Sequence, residues 1–148
     1  MIKLIFLIFL VCIDQLCKYY VQLFMNFSES IEIFDLNILS IYFNLTKNTG
    51  IAFGLFSESL MLISIFSVIF LLSIAIYLYF RKLNLKLWMI FIISGGIGNL
   101  IDRIFFQGVV DFIECRMLNK TLFIFNIADF CITLGVAIYA IDLFKKKP

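Results

Sequence analysis

Four long apolar runs, at residues 4–24, 60–80, 87–106 and 127–144, constrain this chain more than any other feature. Each is close to the roughly 20 residues that an α-helix needs to cross the hydrocarbon core of a bilayer. A soluble domain is about half apolar and about a quarter charged. Here 64% of the residues are hydrophobic and 15% are charged, with a mean hydropathy of +1.10. The solvent this composition calls for is lipid. The expected fold is an all-α membrane protein, residues 1–148 forming one integral membrane domain of four spans. The outward loops run over 25–59 and 107–126, and the first carries a small β-containing region. The first run has the look of a signal peptide, but Asp14 and Lys18 interrupt it. No small-residue cleavage site follows it, so a retained helix is the expectation.

Basic residues orient the spans. Lys3, Arg81, Lys82, Lys86, Lys145, Lys146 and Lys147 fall on one side of a four-span arrangement. The other two loops hold Lys47, Arg116 and Lys120 among several acidic residues. By the positive-inside rule both termini are cytoplasmic and the two longer loops face outward. A net charge of +2 with no basic stripe outside the span flanks gives nucleic acid no footing. Histidine is absent, which removes His-based triads, HExxH zinc sites and His proton shuttles. Cys12, Cys17, Cys115 and Cys131 show neither CxxC nor zinc spacing. No metal and no cofactor is expected.

Depth then brings the polar residues together. At the helical rise, Asp14 and Lys18 lie roughly 17 and 22 Å from Lys3, and Asn99 and Asp102 roughly 20 and 24 Å from Lys86. Asp129 lies roughly 24 Å from Lys145 on the same rise. Three spans thus place ionisable or amide side chains in one outer layer, where such groups are costly unless something requires them. The first outward loop adds a β-rich stretch at 36–45. It ends in Asn48-Thr49-Gly50-Ile51-Ala52-Phe53-Gly54, where small residues permit tight turns. This apolar loop is expected to lie on the bilayer surface or to cover the site.

Within that layer Asp14 and Lys18 stand one helical turn apart and read first as an ion pair. Asn99, Asp102 and Arg103 share a helix face, and Gly95, Gly96 and Gly98 one turn earlier suit close helix packing. Asp129 opens the fourth run beside Asn126, where a carboxylate also suits a helix N-terminus. Asp111 lies in an apolar stretch. Taken singly, each has a structural explanation. Two carboxylates at one membrane boundary allow another: in a desolvated pair one pKa rises and the two hold a single proton. The ionised member then draws a proton from water while its partner polarises a carbonyl. Two rival readings are an ion conduit and a Ser–Lys peptidase using Ser94 with Lys18. The first needs a polar file through the membrane, and the opposite halves of the spans lack charge almost entirely. Ser94 lies roughly 12 Å from Lys86 and so misses the Lys18 layer.

The chain resembles the bacterial lipoprotein signal peptidases, or signal peptidase II, over nearly its whole length. The likeness rests on ordered motifs: Asp14-Gln15 with Lys18; Asn48-x-Gly50-x-Ala52-Phe53-Gly54; Gly95-Gly96-x-Gly98-Asn99-x-x-Asp102-Arg103; Val110-Asp111-Phe112; and Phe125-Asn126-x-Ala128-Asp129. The resemblance implies a membrane aspartic endopeptidase with Asp111 and Asp129 as the catalytic pair. It implies that Asp14, Lys18, Asn48, Gly50, Asn99, Arg103 and Asn126 line or brace the site, with Asp102 structural or a support for Arg103. The implied substrate is a diacylglyceryl-modified prolipoprotein met in membrane lipid, cut before the lipidated cysteine by a monomeric enzyme. Asn48, Asn126 and Arg103 are expected to pair with substrate backbone, and Phe53 and Phe56 to close over it. Phe130 takes the place after the last Asp where the family often has Ser.

Overall fold

The structure is a computed structural model that describes residues 1–27, 29–50, 60–82 and 84–145. Phe53, Phe56, Lys146 and Lys147 lie outside the described residues. In chain order the elements are α1 (Ile2–Phe24), β1 (Ser30–Asp35), β2 (Leu39–Asn48), α2 (Leu60–Phe80), α3 (Leu87–Phe106), β3 (Val109–Met117), β4 (Lys120–Phe125) and α4 (Ile127–Lys145). All four helices are long and apolar enough to cross a membrane. Their outer surfaces keep large apolar side chains exposed, Phe80 and Phe105 among them, a surface that water would penalise and lipid does not.

The all-α expectation needs correcting. The two loops combine into one antiparallel sheet in the order β1-β2-β3-β4, so the protein is helical with a substantial β element. The second loop is a hairpin, with Glu114 opposite Ile124 and Met117 opposite Lys120. Its strands are rich in Val, Ile and Phe, which fit a pleated, half-buried surface. The turn at Leu118 and Asn119 takes φ of 49° and 62°, as a two-residue hairpin of this twist requires. Leucine at such a position hides the turn from a sequence reading, which looks for Asn-Gly or Asp-Gly.

The third helix is the hub and packs against α4, α1 and α2. A Cβ at Gly98 would sit 2.6 Å from Asp14 Oδ2 and 3.2 Å from Ala128 Cβ. The absent side chain is therefore what lets α1 and α4 close on α3 at the polar layer. At the other end Lys3 Nζ donates to Leu85 O at 2.7 Å, bringing the start of α1 beside the α2–α3 connection. The basic flanks so share one end of the bundle and the sheet occupies the other. From α3 the chain enters β3 through Gln107 in the left-handed region (φ 55°) and Gly108 at φ 155°. A Cβ at Gly108 would meet Lys47 Cε at 2.9 Å, a contact the lysine chain can move to relieve, so it is φ that favours glycine there.

Register carries Asp111 to the site. Thr46 faces Asp111 and Asn48 faces Val109, while Phe43 faces Ile113. Asn44 and Leu45 therefore oppose Phe112 alone. This is a β-bulge, which bends β2 and re-aims its side chains where the sheet meets the helices.

Candidate active site

The N-terminus of α4 is where the site is assembled. Asn126 precedes the helix, and its Oδ1 accepts the N–H of Asp129 at 2.9 Å, an N-cap bond to the third helical residue. Asp14 Oδ1, arriving from α1, accepts the N–H of Ala128 at 2.8 Å. Two of the unpaired amides of this helix end are thereby satisfied by side chains, one of them from a distant span. Asp129 is fixed at the rim of the bundle as a consequence.

Asp111 projects from β3 towards the same place and is 2% exposed. Its Oδ1 accepts from Asn126 Nδ2 at 2.6 Å and its Oδ2 from Asn48 Nδ2 at 3.0 Å. Asn48 is itself held by Gly50 N–H, which donates to its Oδ1 at 2.9 Å. Burial, then the neighbouring Asp129 charge, push the Asp111 carboxyl up to about 7. The hydrogen bonds from Asn48 and Asn126 and the charge of Lys18 act in the opposite sense and are outweighed. Neutral amides orient a carboxyl without supplying the full positive charge that would keep it ionised.

Asp129 Oδ1 accepts from Asn99 Nδ2 at 2.7 Å. The Oδ1 of Asn99 in turn accepts from Lys18 Nζ and from Asn126 Nδ2, both at 3.2 Å. Lys18 is buried with two carboxylates, Asp14 Oδ2 at 2.7 Å and Asp102 Oδ2 at 2.9 Å. The ion pair expected from the spacing of Asp14 and Lys18 is present and has a third member. Of the two roles expected for Asp102, structural or a support for Arg103, its contacts are those of a structural residue. Its Oδ2 accepts the N–H of Val110 at 3.0 Å and its Oδ1 accepts from Gln15 Nε2 at 2.9 Å. It clamps the start of the strand that carries Asp111, because the residue it holds is the one immediately before it.

Asp111 and Asp129 border one cavity of about 1100 Å³, together with Asn48, Gly50, Asn99 and Arg103. Leu62 and Phe66 of α2 and Ile132 and Val136 of α4 continue it as an apolar wall. Asp14, Lys18 and Asn126 stand behind that lining as buried supports. The amide donors of Asn48 and Asn126 reach Asp111 and that of Asn99 reaches Asp129. Arg103 is different: its Nε is buried with no hydrogen-bond partner among the described residues. Its Nη1 reaches only Asn99 O, at 3.5 Å, which leaves a guanidinium free to donate into the cavity. Ser94 Oγ donates back to Phe91 O of its own helix at 3.0 Å, away from the acceptors that surround Lys18. No group of three His, Cys, Asp or Glu side chains suited to a metal ion occurs among the described residues.

Two residues of this arrangement had no role assigned from the sequence, although Gln15 stands in the first motif. Gln15 Nε2 bridges Asp102 with Gly98 O at 3.1 Å and Asp14 at 3.2 Å, joining α1 to α3 under the site. Glu114, three residues beyond Asp111, is buried and bound by Arg116 Nη2 at 2.6 Å, Asn44 Nδ2 at 2.8 Å and the Thr121 hydroxyl. The signal for Glu114 is its i,i+2 relation to Arg116, which has meaning only once that stretch is seen to be a strand.

A family model described as Signal peptidase (SPase) II matches residues 6–145. Lipoprotein signal peptidases of Staphylococcus aureus, from strains JH9 and Newman among others, are 35% identical over 144 residues, covering 93% of this chain and 85% of theirs. A bacterial membrane enzyme solved by the in meso method at 2.3 Å resolution superposes with a TM-score of 0.82 at 30% identity, over 98% of this chain and 91% of that one. A second, solved at 1.9 Å resolution, gives 0.81 at 29% identity, over 98% and 94%.

Proposed function

The chain belongs to the signal peptidase II family, and from that premise we propose that it is an aspartic endopeptidase whose catalytic pair is Asp111 and Asp129. The family membership makes it a membrane protease of lipoprotein maturation that removes signal peptides. The observation that carries the aspartic reading is the pair's shared, largely apolar cavity, bounded by Asn48, Asn99 and Arg103. Two carboxyls so placed hold one proton between them at neutral pH, since the second charge is disfavoured beside the first.

In the proposed reaction the ionised carboxylate takes a proton from water as the water oxygen bonds to the scissile carbonyl carbon. The protonated partner gives its proton to the carbonyl oxygen. The tetrahedral intermediate collapses as the C–N bond breaks, and the proton taken from water passes to the leaving nitrogen. The carbonyl proton returns to the pair, which is ready for another turn. The nitrogen released is that of a cysteine bearing a diacylglyceryl group. The free donors of Arg103 are assigned to substrate carbonyls, because an unpaired acceptor in a desolvated cavity is costly.

The same proposal sets the protein in the bacterial cytoplasmic membrane with both termini inside, the sheet and the cavity outside, and a monomer as the working unit. The apolar wall between α2 and α4 admits acyl chains and signal peptide laterally from lipid. The test incubates purified enzyme with a diacylglyceryl-modified prolipoprotein and with its unlipidated counterpart. Selective cleavage of the former, lost in Asp111→Asn and Asp129→Asn proteins that still fold, is the expected result. Full activity in either variant overturns the pair, and equal cleavage of both substrates overturns the substrate class.

A further inference from the structure

The cavity meets the sheet in two different ways. From β2 it takes Thr46 and Asn48, and from β3 it takes Val109 and Asp111, in each case alternate residues. Alternation is the mark of a strand presenting one face, since successive side chains point to opposite sides. From β4 it takes five consecutive residues, Thr121 through Phe125. A strand lends consecutive residues to a cavity only when the cavity runs along its edge. In the sheet order β1-β2-β3-β4, β4 is terminal, and among the described residues only its β3 side is paired. Alternate residues of such a strand turn both backbone N–H and C=O outward, a template for another extended chain.

We propose that the free edge of β4 is a strand-pairing site for the extended stretch of substrate polypeptide that crosses the scissile bond. The occupant follows from position. The strand ends at Phe125, Asn126 comes next, and Asp129 lies four residues beyond Phe125, so a chain paired along β4 is led directly to the carboxyl pair. An irregularity sets the outer limit: Thr121 faces Arg116 and Phe123 faces Cys115, so Leu122 has no partner of its own. Bulges of this kind blunt an edge. Phe123–Phe125, next to the site, is the regular part and the part that pairs. Main-chain pairing tolerates many side chains, so an enzyme using it accepts varied sequences around one modified cysteine. The inference rests on the peptidase reading above and adds to it how the backbone is held.

An amide-to-ester scan of a diacylglyceryl-modified peptide substrate tests it, each non-scissile peptide bond near the cut being replaced in turn. An ester removes the N–H without adding bulk. Strand pairing predicts a period-two pattern: about tenfold lower kcat/KM at alternate positions and near-parent values between them. In parallel, with a thiol oxidant such as a copper–phenanthroline complex added to accept the two electrons, a Phe123→Cys enzyme is expected to form a disulfide with substrates carrying a second cysteine at one position and at positions two residues away. Uniform losses, or none, with the parent peptide still cleaved, overturn the pairing and leave the peptidase reading intact. Alternation without crosslinking to position 123 moves the pairing to another edge and overturns the role of β4. A parent peptide that is not cleaved overturns the peptidase reading and this inference with it.

Discussion

Asp111 and Glu114 are buried carboxyls on one strand, three residues apart, with opposite fates. Burial, then the charge of Asp129, raises the pKa of Asp111 to about 7 against the amide donors of Asn48 and Asn126. Glu114 is 1% exposed, yet its pKa falls to about 2, first through the hydrogen bond from Arg116. That guanidinium lies 3.9 Å from the Tyr42 ring centre and donates to Ser30 Oγ at 3.0 Å. With Asn44 and Thr121 the cluster touches all four strands and ties the sheet together. Burial alone therefore does not decide protonation. A full positive charge in contact holds a carboxylate ionised and structural, whereas neutral donors and a second acid leave one able to carry a proton.

The contrast breaks most sharply at the pair itself. Asp111→Asn and Asp129→Asn should each lower kcat by about 10³-fold or more, measured on a lipidated prolipoprotein with the proteins shown folded in detergent. If Glu114→Gln shows the same loss with unchanged thermal stability, the assigned roles are wrong. The expected effect of Glu114→Gln is instead on the sheet. Arg116 is a quarter exposed, so losing its charged partner costs about 1 kcal/mol, seen as a lower Tm. The wild-type contribution of Glu114, whose folded pKa is depressed, is present above pH 4.5 and is lost as pH falls towards about 2.

Arg103→Lys should raise KM several-fold and change kcat less, because lysine keeps the charge and loses the planar fork of donors. A fall confined to kcat would make Arg103 part of the proton chemistry. The smallest effect is on stability against pH. The folded pKa of Asp111 is raised, so the native state holds its proton more tightly than the open chain, and stability declines as pH rises from 3.8 through about 7. Asp111→Asn should flatten that decline and raise the Tm by a few degrees at pH 8, with little change at pH 4.

Much of this was written in the order of residues. The apolar runs at 60–80 and 87–106 coincide with α2 and α3, and the other two differ from α1 and α4 by one or two residues. Length against bilayer thickness is a strong constraint that needs no partner. Counting the rise along three spans also put Asp14, Lys18, Asn99 and Asp129 in one layer, and the Asp14–Lys18 bond was readable from a four-residue spacing. The second hairpin was not readable, because its turn is Leu-Asn and β3, VVDFIECRM, does not alternate cleanly between polar and apolar residues. With it went the roles of Glu114 and Arg116.

By itself the order of residues determined the spans, the end of the bundle that holds the polar groups, and the family. Only the tertiary structure decided what each polar group addresses: Asp102 to Val110 and Gln15, Asn48 and Asn126 to Asp111, and Asn99 to Asp129. The reason is physical. Periodicity along a helix or strand is local and survives in one dimension, whereas these hydrogen bonds join different elements and depend on how the helices pack and on the register and bulge that pair β2 with β3. The charge on a carboxyl is set by those bonds.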